Sequence, residues 1–145
     1  MDQLVPPDAV QLSQVISQAT APAFVLGAVA GFVSILLGRL NSVVERIRQL
    51  NEIASDDRSR SRLKSDLPRL QRRARLLNNA TRLALASGVC TSMLLAVGFL
   101  SAFLRLQHVY GAAILFFLTV VMLGASLFMF GQEVKIGLSE ADHYR

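Results

Sequence analysis

Residues 20–54 read TAPAFVLGAVAGFVSILLGRLNSVVERIRQLNEIA. The first nineteen, 20–38, contain no Asp, Glu, Lys, Arg or His. A helix of about 20 such residues crosses a hydrocarbon core of ~30 Å. The rest of the stretch is charged, yet Leu36, Leu40, Val43, Ile47, Leu50 and Ala54 step by 4, 3, 4, 3, 4. That is the seam spacing of a coiled coil. One continuous helix is therefore expected to leave the membrane and carry an apolar seam into water.

Two further charge-free runs follow, LALASGVCTSMLLAVGFLSAFL at 83–104 and GAAILFFLTVVMLGASLFMF at 111–130. Ahead of the second run, Leu63, Leu67, Leu70, Ala74, Leu77 and Thr81 repeat the seam spacing. Ser65 or Asp66 can cap that helix, which puts Pro68 in its first turn, where proline is harmless. Between the two seams, SDDRSRSR (55–62) is polar and reads as a loop. The expected fold is an all-α membrane protein. Its three transmembrane helices are 20–38, 83–104 and 111–130, and the first two extend into a cytoplasmic antiparallel helical hairpin over 39–82. Residues 1–19 form an N-terminal outer segment and 131–145 a cytoplasmic tail. The outer segment carries Asp2 and Asp8 and no basic residue, so it does not read as a secretory signal.

Charge sets the orientation. The chain carries +5 overall, but 39–82 alone holds twelve Lys/Arg and five acids. Cytoplasmic loops carry the excess of Lys and Arg. The reading places the N-terminus outside, 39–82 inside, 105–110 outside and the C-terminus inside, in the inner (plasma) membrane.

Small residues mark candidate packing faces. Ala23, Gly27 and Gly31 form one row on the first span; Ala30, Ser34 and Gly38 form another; Ala84, Gly88, Ser92 and Ala96 form a third on the second span. Such rows let helix backbones approach closely in lipid, within one chain or between copies. The third span is bulkier and reads as the lipid-facing outer helix. The hairpin seam is assigned to Leu40, Val43, Ile47, Leu50, Leu67, Leu70, Ala74 and Leu77. Arg39, Arg82 and Glu133 bound the three runs and are expected at one depth. A boundary charge needs a partner, so Glu133 is expected to pair with Arg39, Arg75 or Arg82.

Several classes are disfavoured. His108 and His143 are isolated and the single Cys90 lies inside a run, so no catalytic or metal-binding constellation and no cofactor site is expected. Ionisable residues, the usual mark of proton and ion carriers, are absent from the runs. Residues 39–82 contain no aromatic residue on which bases could stack, which argues against nucleic acid as a partner. What remains is a homo-oligomeric structural or interaction protein whose hairpin docks a cytoplasmic protein. The alternatives are a small homo-oligomeric ion channel with a basic vestibule, and a sensor of anionic membrane lipids.

Four pieces together resemble a known family: ISQATAPAF (16–24), GRLNSVVERIRQL (38–50), RRARLLNNA (72–80) and FGQEV (130–134). The chain resembles the bacterial membrane family catalogued as domain of unknown function 2721, over roughly residues 14–136. The resemblance implies three spans and brings no activity, ligand or catalytic residue. The loop at 55–62 and the tail fall outside it.

Overall fold

The structure is a computed structural model and describes residues 9–52, 61–104 and 109–143. The lead-in at 1–8, most of the loop at 55–62 and most of the turn at 105–110 lie outside the described residues. Three long helices account for nearly everything described: α1 (Ala9–Asn51), α2 (Leu67–Leu104) and α3 (Val109–His143). A 3-10 helix, Ser61–Asp66, leads into α2.

Each helix is long and apolar enough to cross a membrane. At ~1.5 Å per residue, helices of 43, 38 and 35 residues extend about 65, 57 and 53 Å. All exceed a hydrocarbon core of ~30 Å. The surplus on α1 and α2 is the charged sequence that follows or precedes their apolar runs. The surplus on α3 is 131–143, which continues the helix without a break.

Local sequence explains the boundaries. Asp66 stands immediately before α2, and Pro68 falls in the first turn, where its missing N–H costs no intrahelical bond. Pro22 is different, because α1 begins thirteen residues before it and passes through it. Proline in a helix interior removes one backbone bond, and packing in a membrane helix tolerates that loss.

The core follows steps of seven. Val29, Leu36, Val43 and Leu50 are buried on α1; Leu70, Leu77, Ala84 and Thr91 are buried on α2. Leu36, Val43, Leu50, Leu70, Leu77, Ala80 and Ala84 form one cluster, with Leu40, Ile47, Leu67 and Ala74 packed against it. Seven residues is close to two helical turns, so each row stays on one face. The seam thus runs unbroken from the charged lengths of α1 and α2 into their apolar lengths.

α2 is the central helix and packs against both α1 and α3. α3 is only half the outer helix that its bulk suggests. Phe117, Phe128 and Ile114 are exposed, but Thr119, Ser126 and Glu133 are fully buried, again in steps of seven. Ser126 Oγ donates to the Ala80 carbonyl at 2.6 Å. Seven residues on, Glu133 meets Arg73, seven residues before Ala80.

Candidate functional site: a buried carboxylate between two arginines

Glu133 has no solvent exposure. A buried carboxylate must be paired and hydrogen-bonded to remain charged. Two helices supply partners. Arg73, on α2, donates to Glu133 Oε1 from Nε at 3.1 Å and from Nη2 at 2.9 Å. Arg39, on α1, donates from Nη2 to Oε1 at 3.3 Å. The same Nη2 lies 3.1 Å from Oε2, and that oxygen gains this ionic contact without an aligned hydrogen bond.

The surroundings hold the guanidinium groups in place. Arg39 sits over the Phe130 ring, 5.4 Å from its centroid. Phe130 meets Phe32 of α1 edge-on, with centroids 5.6 Å apart. Gly137 lies one turn beyond Glu133 on the same face of α3. A Cβ there would stand 3.1 Å from Arg73 Nη2, 3.4 Å from its Cζ and 3.8 Å from Arg39 Nη2. The absent side chain is the space that the Arg73 guanidinium uses. Phe130, Glu133 and Gly137 therefore form one strip of α3 that receives an arginine from each of the other two helices.

The arrangement is a tie, with two positive groups around one negative. It gives α1 and α3 an ionic and a ring contact to each other, although both pack chiefly on α2. Among the described residues no group of three His, Cys, Asp or Glu side chains could hold a metal ion.

The expected partners of Glu133 need correction. Arg39 is one; Arg73 is the other; Arg75 and Arg82 are exposed and make no contact with it. Arg82 is also not at the depth of Arg39 and Glu133. It stands nine residues beyond Arg73 on α2, about 14 Å along the axis. The edges of the charge-free runs had suggested a common plane, but helix register is set by packing, and packing puts Arg73 there instead.

The small-residue rows divide. Ala84 is buried, and Gly88 faces Val29, whose Cγ1 would lie 3.3 Å from an added Cβ. Ser92 and Ala96 are exposed. Both rows on the first span, Ala23, Gly27 and Gly31 with Ala30, Ser34 and Gly38, are exposed along their whole length. An added Cβ at Gly27, Gly31 or Gly38 would meet nothing within 4 Å. Most membrane hydroxyls bond their own helix: Ser34 to Ala30, Ser87 to Ala84, Thr91 to Ser87, Ser92 to Gly88 and Thr119 to Leu115. Ser126, which reaches α2, differs from them.

No curated protein and no solved structure matches the chain. A family model does, over residues 19–143. That range takes in the loop at 55–62 and most of the tail, both of which the sequence resemblance had left out. The match spans most of the sequence, α2, α3, all but the first ten residues of α1 and every residue of the Glu133 cluster, and the chain belongs to the family described as protein of unknown function, DUF2721.

Proposed function

We propose that this chain is a homo-oligomeric structural or interaction protein of the bacterial inner membrane. Its N-terminus lies outside and its C-terminus in the cytoplasm. Fourteen of its fifteen Lys/Arg then fall on the cytoplasmic side, as the positive-inside rule requires. On that side α1 and α2 continue as an antiparallel hairpin, and the end of α3 joins it. Leu50 and Leu70 are there buried away from water, where each gains about 1.5–3 kcal/mol. The exposed arginines of α2 offer the hairpin a docking face for an acidic partner.

One observation carries the oligomer. The small residues of α1 from Ala23 to Gly38 are exposed, on the face away from the buried row of Val29 and Leu36. Helices in lipid associate by close packing at small residues rather than by the hydrophobic effect. A second copy of α1 is the partner this row fits.

Mass measurement in native nanodiscs tests it. The wild-type chain is expected above one subunit. Gly27→Leu and Gly31→Leu are expected to reduce it to one subunit with helicity unchanged, since an added Cβ at either position meets nothing within 4 Å. A monomeric wild-type protein, or unchanged stoichiometry in both variants, refutes the reading. Ion flux through proteoliposomes separates it from the channel alternative, which requires conductance.

A further inference from the structure

Arg82 occupies an unusual place. The Glu133 tie marks where α1 and α3 leave their charge-free runs, at residues 38 and 130. Ser126, already inside the run of α3, meets Ala80. Arg82, two residues past Ala80, therefore lies alongside apolar lengths of its neighbours. It is exposed, as are Asn78, Asn79 and Arg75. Among the described residues none of these four side chains has a hydrogen bond or ion pair. An arginine against hydrocarbon is costly unless it finds a counter-charge or draws polar groups inward.

An open apolar groove of about 700 Å³ begins one turn further on. It lies between α1 and α2, with Leu26 and Val33 on one wall and Leu85, Val89, Met93 and Ala96 on the other. The spacing puts Arg82 and Asn78 on the face of α2 that lines it, three and seven residues before Leu85. From Leu85 to Ala96 the groove runs about 16 Å, about as long as an extended acyl chain of one leaflet. Its lining is almost wholly apolar. No Asp or Glu occurs in α2 or in residues 20–44 of α1.

We propose that this groove binds an anionic phospholipid of the leaflet nearest Arg82. One acyl chain lies along Leu85–Ala96, and the phosphate meets Arg82, with Asn78 and Arg75 beside it. Apolar length and charge at a single end are two features of such a lipid, and the groove with Arg82 has both. The headgroup supplies the counter-charge that the protein leaves out, and arginine's planar donors suit a phosphate. The site needs no second copy, since α1 and α2 of one chain supply its whole lining, Ala30 of the small-residue rows included.

The test uses the full chain in nanodiscs with trace phosphatidylglycerol or phosphatidylcholine carrying a photoactivatable acyl chain. Phosphatidylglycerol is expected to label peptides covering 26–33 and 85–96 and to do so in preference to phosphatidylcholine. Arg82→Gln is expected to lower that preference about fivefold, the loss of one surface cation, and Arg82→Lys to restore it. Ala96→Phe, which fills the groove without touching charge, is expected to remove labelling by both lipids. All these positions are exposed, so circular dichroism is expected to be unchanged. Equal labelling by the two lipids, labelling spread evenly over all three helices, or a covalent pair of chains joined through the groove would each overturn the proposal.

Discussion

Glu133→Ala is expected to be among the most damaging single substitutions in the chain. Glu133 is fully buried and the side chain of Arg73 is only 14% exposed, so removing the carboxylate takes two hydrogen bonds from a largely buried guanidinium. Removing one partner of a buried pair costs about 3–5 kcal/mol. The Arg39 side chain is 39% exposed and can turn outward. Arg39→Ala loses an exposed-type ion pair and a ring contact, together about 1–2 kcal/mol. Arg73→Ala leaves Glu133 with only its weaker partner and is expected to cost about 3 kcal/mol. The expected order is therefore Glu133, then Arg73, then Arg39. The two larger effects are not additive: the Glu133→Ala/Arg73→Ala double variant falls short of the sum by about 2 kcal/mol. Reversible unfolding in mixed micelles, followed by helicity at fixed pH, measures all four. A cost below about 1 kcal/mol for Glu133→Ala, or an additive double variant, would falsify the buried tie.

Four other substitutions, one of them a control, probe the same packing. Ser126→Ala removes the bond to the Ala80 carbonyl and is expected to cost about 0.6 kcal/mol, the membrane average, in the same unfolding assay. Gly88→Leu drives a side chain into Val29 and Leu26 and is expected to destabilise the α1–α2 pair by about 1–3 kcal/mol; thermal melting of helicity reads the loss. At Gly137, alanine presses on the Arg73 guanidinium and forfeits the ~0.5–1 kcal/mol that alanine normally gains over glycine in a helix. Gly124→Ala, with open space around it, is expected to keep that gain, so the two variants should melt at different temperatures.

The spans were legible because a membrane core imposes length and excludes charge, and both leave plain marks on a sequence. The seam was legible because an apolar residue every three or four positions survives inside charged sequence, as Val43, Leu50, Leu70 and Leu77 illustrate. The partner of Glu133 was harder. Arg69, Arg72, Arg73 and Arg75 look alike in sequence, and successive residues turn by about 100° around a helix. Which one faces α3 depends on how α2 and α3 are registered, and no single residue announces that. A signal was present in the steps of seven. Thr119, Ser126 and Glu133 are polar positions in an otherwise bulky helix, and Arg73, Ala80 and Ser87 repeat the same interval on α2. Reading those rows against each other would have selected Arg73. The depth of Arg82 is hidden for a related reason: a charge that borders an apolar run reads as the membrane edge, although neighbouring helices need not end their runs at one level.

The tie also orders the making of the protein. Synthesis runs from the N-terminus, so Arg39 and Arg73 emerge long before their shared counter-ion, which follows Arg73 by sixty residues. Until α3 arrives, the α1–α2 pair brings together two like charges at the point where its third member will dock. A chain that stops short of Glu133 keeps that repulsion; one that reaches it lowers the repulsion as α3 docks. Arrival of α3 is thus the event that locks the three helices together, and a product truncated before Glu133 is the looser one.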